Sequence, residues 1–477
     1  MELDPIVAIV PAPTLATSSE GVFVLGPGTA VTGDGRAAAV AHYLASQFGL
    51  ELSPNAGTIR LILGGDHGEL GDEGYELTVT PAGVALVSCT AAGLFRGVQT
   101  LRQLRSAVGT LPAGRIIDRP RFAYRGVMLD VARHFFPVSA VKRLIDLAAL
   151  LKLNHLHLHL TDDQGWRVAI DQWPRLTEYG GGTEVGDGPG GYYTKADYRE
   201  IVAYAADRFI TVVPEVDLPG HTNAALASYP ELNTDGVAPD RYTGIEVGFS
   251  SLAVAKDITY RFLDEVFGEL AALTPGPYLH IGGDEAKTLG PEEYGLIVAR
   301  AQEIVASHGK TAVGWHEIAA AKLLPSTVVQ YWGVAGDDGG LGSAVAAGNR
   351  ILMSPADRTY LDMKYDEDTP LGLSWAGHIS TQTSYDWDPA SYLSGVDETS
   401  ILGVESPLWT ETISTIEQIE YLVMPRLAVT AELGWASADR HDWIELRERL
   451  GAQRYLWASL GINFYHAPDV PWRIQNA

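Results

Sequence analysis

Tyr278-Leu279-His280-Ile281-Gly282-Gly283-Asp284-Glu285 is an apolar run cut short by two glycines and followed at once by two adjacent acids. The pattern reads as a buried strand ending in a turn that presents carboxylates instead of burying them. Neighbouring side chains on an extended segment point to opposite faces, so Asp284 and Glu285 need not share a hydrogen bond even though their charges interact. An ionised carboxylate raises the pKa of the acid beside it. An acid raised in this way donates a proton near neutral pH. A second reading makes the pair the acidic first turn of a helix, since acids favour a helix N-terminus. The surrounding chain decides between the two.

Outward from this stretch, apolar runs alternate with helical patterns. From residue 119 on, the runs are Arg125 to Leu129, Asn154 to Leu160, Phe209 to Val213, Tyr278 to Ile281, Ala312 to Trp315, Val328 to Trp332, Ile351 to Met353 and Ile401 to Val404. The clearest helices between them are Val138 to Lys152, Lys195 to Arg208, Leu252 to Leu273 and Pro291 to Ser307. Eight strands alternating with helices predict a parallel (β/α)₈ barrel over residues 119–477, with helices at its C-terminal end. Residues 1–118 mix short strands and helices and predict a smaller, non-catalytic α+β domain. Proline and charge at Asp118-Arg119-Pro120-Arg121 mark the boundary. Gly64-Gly65-Asp66-His67-Gly68 reads as a glycine-rich turn between strands.

Composition narrows the partners. A net charge of -25 excludes nucleic acid and an anionic membrane surface, and favours a neutral or cationic substrate. Cys89 is the only cysteine, which rules out an intrachain disulfide and disfavours thiolate metal sites. Met1-Glu2-Leu3-Asp4-Pro5 has no basic or apolar leader pattern, so the chain as written is expected in the cytoplasm, or outside the cell if a leader has been removed. Neither a cofactor nor a metal is expected, and both monomer and homodimer stay open.

Barrel enzymes place their chemistry at the C-terminal ends of the strands. Arg133, Asp162, His221, Asp284, Glu285, Trp315, Glu317, Trp332, Tyr360, Asp362, Trp375, Trp409 and Glu411 all follow strands in this register. Their convergence on one rim makes the acidic pair a site and not a helix cap. Tryptophans in a carboxylate-rich pocket suit a carbohydrate, whose C–H faces stack on aromatic rings while its hydroxyls meet acids and arginine. The reaction implied is glycoside hydrolysis, with a carboxylic acid protonating the leaving oxygen. His155, His157 and His159 alternate with leucines and face inward at different heights, about 6.5 Å apart. They read as a hydrogen-bonded polar interior and not as one zinc site. The seven glycines between Gly180 and Gly191 follow no phosphate-cradling pattern and read as a rim loop.

Five motifs, Val127-Met128-Leu129-Asp130-Val131-Ala132-Arg133-His134, His157-Leu158-His159-Leu160-Thr161-Asp162-Asp163-Gln164-Gly165-Trp166, Pro214-Glu215-Val216-Asp217-Leu218-Pro219-Gly220-His221, His280 to Glu285 and Pro407-Leu408-Trp409-Thr410-Glu411, together resemble the β-N-acetylhexosaminidases of glycoside hydrolase family 20, particularly the bacterial exo-acting ones. The resemblance spans nearly the whole chain. It implies a retaining reaction in which the substrate's own 2-acetamido oxygen is the nucleophile. By similarity, Glu285 is general acid and then base, and Asp284 orients the acetamide. Tyr360 binds the acetamide oxygen, and Trp315, Trp332 and Trp409 wall its pocket. Arg133 and Glu411 match residues that grip sugar hydroxyls, Trp375 and Asp362 line the pocket, and Asp162 and His221 match a relay behind the acid. Two rivals stay open at this point: a barrel glycosidase with a carboxylate nucleophile, and a sugar-binding protein with a dead barrel.

Overall fold

The computed structural model describes residues 4–33, 35–54, 57–335 and 340–473. The chain forms two compact units, one of Met1–Ala123, Ala148–Leu153 and Leu427–Ala477, the other of Tyr124–Leu147 and Asn154–Arg426.

The first unit holds a seven-stranded mixed sheet with the order Leu15–Val24, Thr110–Asp118, Tyr75–Thr80, Gly83–Ser88, Ile59–Leu63, Ala30–Thr32, Glu51–Leu52. The helix Ala91–Leu104 follows the fourth of these strands in space and is capped by the Thr90 hydroxyl. Such a cap satisfies a backbone N–H that the first helical turn leaves unpaired. The glycine-rich stretch read as a turn between strands holds a short helix, His67–Leu70, capped by the Asp66 side chain, which accepts from the Gly68 N–H. Arg449 is buried with Glu432, whose other contact is the Ala12 N–H. Breaking a buried pair of this kind strands a charge away from water.

The second unit is a closed barrel of eight parallel strands: β1 Tyr124–Asp130, β2 His155–His159, β3 Thr211–Leu218, β4 Tyr278–Gly282, β5 Thr311–Trp315, β6 Val328–Tyr331, β7 Ile351–Met353 and β8 Ile401–Leu408. All eight expected strands are present. Helices cover the outside and side chains fill the inside, so the strands are buried on both faces, and every residue of β1 is buried. Two strands run further than the sequence implies. Pro214 pairs with Leu158 within β3, and Pro407 with Met128 within β8. Proline followed or preceded by acids reads as a strand end, but here neighbouring strands supply the pairing on both sides, and acids inside the barrel find histidine partners. At the other end, Phe209 has φ 54° and belongs to the turn before β3.

The interior is layered, as strand alternation in a barrel requires. Toward the strands' N-terminal ends Tyr124, Val213, Val313, Val328 and Leu352 form an apolar cluster. His155 lies at this level, its ring stacked on Tyr124 with centroids 3.7 Å apart. One layer up, His157 sits between Glu405 at 2.9 Å and Glu215 at 3.0 Å. A further layer up, His159 sits between Glu215 at 2.5 Å and Asp162 at 2.8 Å. The three histidines therefore occupy three heights. Atoms of His157, Glu215 and His280 approach within 4.8 Å of one another, but they are already engaged: Glu215 Oε1 meets His280 Nδ1 at 2.9 Å and accepts the Trp315 indole N–H at 2.9 Å.

Candidate active site

The stretch that ends β4 owes its shape to two glycines. Gly282 has φ 66° and Gly283 φ 112°, and a Cβ on Gly282 would fall 1.6 Å from Asp217 Oδ1. No other residue lets the backbone pass that close to the buried carboxyl. Gly283 N–H donates to Asp217 Oδ1 at 3.1 Å, which anchors the turn. Glu285 follows with φ 49°, and His221, in the turn after β3, has φ 53°. Non-glycine residues in the left-handed region store strain, and such outliers gather where a side chain has to be aimed.

These segments open onto a cavity of about 280 Å³ at the C-terminal face of the barrel. Its lining brings together Arg133, His221, Asp284, Glu285, Trp332, Tyr360, Asp362, Trp375, Trp409 and Glu411. Asp162 and Trp315 stand one layer behind. Trp315 is fully buried, with its ring 5.7 Å from that of Trp409. Ile245, Val247 and Leu373 also line the cavity. They were not legible beforehand, because isolated apolar residues in irregular loops carry no periodic signal. Glu405 is equally hidden as a hub of the polar interior, whereas Glu215 is read at the end of the third strand and only its role as a partner of three histidines is new. The register places Glu215 beside His159 on β2.

Electrostatics separate the two central acids. Burial pushes the Asp284 carboxyl up to about 7, and the negative charges of Glu317, Glu215 and Glu285 add to this against the pull of His221. Glu285 is also raised by burial, but the facing His221 imidazole and the hydrogen-bonded Lys287 ammonium outweigh it and leave the group below its ordinary value. Of the two, Asp284 therefore has the greater proton affinity and Glu285 the lesser. His221 stands between them, with Nε2 3.5 Å from Asp284 Oδ2 and 3.6 Å from Glu285 Oε2. Burial disfavours its charge, yet Asp162 and Asp284 hold the imidazolium well above its ordinary range. Asp162 itself is held well below the carboxylate range: burial opposes this, but Arg133 and His221 prevail.

The opposite wall carries Arg133, whose guanidinium lies 2.9 Å from Asp162 and 4.9 Å from the Trp409 ring centroid. Asp362 and Glu411 are raised, first by burial. Both Asp362 oxygens, Glu411 Oε2, Asp284 Oδ1, His221 Nε2 and Arg133 Nε are buried without a hydrogen-bond partner. Folded proteins leave few such atoms. Six of them lie around this one aromatic-walled cavity, an arrangement able to meet the hydroxyls of a polar ligand.

"Glycosyl hydrolase family 20, catalytic domain" matches residues 122–438, and "Glycosyl hydrolase family 20, domain 2" matches residues 7–119. The chain belongs to glycoside hydrolase family 20, the β-N-acetylhexosaminidases. The family 20 hydrolase is 44% identical to a beta-N-acetylhexosaminidase of Cellulomonas fimi, over 98% of each chain. Its structure is similar to that of Streptomyces plicatus N-acetyl-beta-hexosaminidase, solved in complex with Thio-NAglucal, with 52% identity, a TM-score of 0.96 and 98% of each chain covered. It is also similar to the exo beta-N-acetylglucosaminidase of Vibrio harveyi, solved in complex with N-acetylglucosamine, with 30% identity and a TM-score of 0.86 over 98% of this hydrolase and 79% of that chain. No helix among the hydrolase's described residues is long and apolar enough to cross a membrane.

Proposed function

We propose that this hydrolase removes terminal, non-reducing β-linked GlcNAc or GalNAc by substrate-assisted hydrolysis, with the acetamide oxygen as nucleophile. The observation that carries the reading is geometric: the adjacent carboxyls of Asp284 and Glu285 line one pocket with Tyr360, Trp332, Trp375 and Trp409.

In the first half-reaction the acetamide oxygen bonds to the anomeric carbon as the bond to the leaving oxygen breaks, and Glu285 gives that oxygen its proton. Asp284 accepts the acetamide N–H and offsets the positive charge of the oxazolinium. Tyr360, whose burial keeps its hydroxyl protonated well above the ordinary phenol range, donates to the acetamide oxygen. Water then opens the ring with Glu285 as base. An attached nucleophile held in line reaches effective molarities of roughly 10⁵ M or more, which is why the tryptophan walls matter. Arg133, Asp362 and Glu411 take the sugar hydroxyls.

The two proton affinities impose one condition. The acetamide needs Asp284 ionised and the leaving oxygen needs Glu285 protonated, the reverse of the order of proton affinity in the empty site. Productive binding therefore moves one proton from the Asp284 side to Glu285, and His221 Nε2 lies 3.5 and 3.6 Å from the two.

The test compares an aryl N-acetyl-β-glucosaminide with the matching aryl β-glucoside. Turnover of the first alone is expected. Comparable turnover of both means that an enzyme carboxylate is the nucleophile.

A further inference from the structure

Glu285 has a second cationic neighbour that the reaction above does not use. Lys287 Nζ lies 3.0 Å from Glu285 Oε1, while the other oxygen, Oε2, faces His221 at 3.6 Å. The two carboxylate oxygens thus look at different cations. The backbone sets up this pairing: Glu285 is left-handed, and the Lys287 N–H donates to the Glu285 carbonyl at 2.6 Å, which folds the lysine back over the acid. Gly248, at φ 81°, backs the lysine stem; a Cβ there would lie 2.6 Å from Lys287 Cδ and 3.1 Å from the Glu285 carbonyl oxygen. The same loop supplies Ile245 and Val247 to the cavity lining. The Lys287 side chain is 60% exposed and that of Glu285 24%, so the ammonium reaches in from the solvent side and occupies the oxygen not committed to His221.

We propose that Lys287 is a positioning residue whose ammonium, against Glu285 Oε1, keeps the proton shared by Asp284 and Glu285 off Glu285 in the free enzyme and so sets the alkaline limit of acid catalysis. The proposal rests on the reading of Glu285 as proton donor. The charged groups facing Glu285 are His221 from the turn after β3, Asp284 beside it and Lys287; Glu317, after β5, acts on Asp284. His221 and Asp284 are buried and tied into the interior, whereas Lys287 can be removed without stranding a buried partner. A cation beside a carboxylate favours its ionised form. A leaving group approaching the Glu285 carboxyl competes with the ammonium for it and weakens that preference, so the acid gains its proton where and when the substrate needs it.

The experiment measures kcat/KM against pH for the wild type, Lys287→Met and Lys287→Arg. One substrate is N,N′-diacetylchitobiose, whose sugar leaving group needs protonation; the other is a dinitrophenyl N-acetyl-β-glucosaminide, whose leaving group does not. In the free enzyme the alkaline limb of kcat/KM is loss of the one proton that Asp284 and Glu285 share; by raising the proton affinity of the Glu285 half, Lys287→Met is expected to move that limb for the disaccharide upward by about half a pH unit at low salt. The shift shrinks as ionic strength rises. Lys287→Arg keeps the wild-type limb, and the dinitrophenyl profile does not move in any variant. An unmoved limb in Lys287→Met at low salt overturns the proposal. So does an equal loss on both substrates at every pH, which marks a structural role. A wild type that hydrolyses neither substrate overturns the reading of the site itself, and this proposal with it.

Discussion

His221 Nδ1 lies 3.1 Å from Asp162 Oδ1, and both side chains are buried. This contact leaves Nε2 as the only nitrogen free to face Asp284 and Glu285. Asp162→Asn removes the charge that holds the imidazolium and the acceptor that fixes its orientation. The expected loss on the disaccharide is about tenfold to a hundredfold, short of the 10²–10⁴ that a general acid supplies. The dinitrophenyl substrate should lose less. Equal losses on both, measured by steady-state kinetics, would argue that Asp162 only maintains the fold.

Glu285→Gln cannot protonate the leaving oxygen. Turnover of N,N′-diacetylchitobiose is expected to fall by about 10²–10⁴, while the first step on a dinitrophenyl glycoside is largely spared. Parallel losses on the two substrates would count against the acid role.

Asp284→Asn separates function from stability. The folded carboxyl titrates at about 7 against 3.8 ordinarily. Between these values the folded chain binds the proton more tightly than the unfolded one, so stability falls as pH rises through the window and an ionised Asp284 is a cost above it. Asparagine carries no such charge. The variant is expected to melt at a higher temperature than the wild type above pH about 7 and to differ little from it near pH about 4. Its kcat should fall by about 10²–10³ even on the activated substrate, because attack by the acetamide is impaired. Melting curves at both pH values and single-substrate kinetics check the two halves independently.

Tyr360→Phe removes one donor to the acetamide oxygen. Removal of a donor of this kind costs about 10²-fold in kcat. Since the hydroxyl stays protonated well above neutrality, the loss should be the same across the pH profile. A loss confined to one limb would mean that Tyr360 takes part in proton transfer.

Much of this molecule can be read along the chain because its signals are local. An apolar run halted by Gly282 and Gly283 announces a strand end that carries acids, and eight such runs spaced by helices announce a barrel. The alternation of His155, His157 and His159 with leucines already places three imidazoles inside at three heights. Five motifs then bring the family into view.

Closure of the barrel decided the rest. Asp284 and Glu285 are equivalent as neighbours in sequence. Which of them holds the resting proton depends on His221 from β3, Glu317 from β5 and Lys287 folded back beneath Gly248, groups brought together only in three dimensions. The same holds for Glu215 on the neighbouring β3 and Glu405 on β8, whose carboxylates meet the histidines of β2 inside the closed barrel, and for Trp315, which the packing sets behind Trp409. It holds too for residues 427–477, which share a compact unit with the first 123. Periodicity and turn residues report what a segment does with its own neighbours in the chain. Proton affinity, charge pairing and the shape of a cavity are sums over neighbours distant in sequence, and those are set by the tertiary fold.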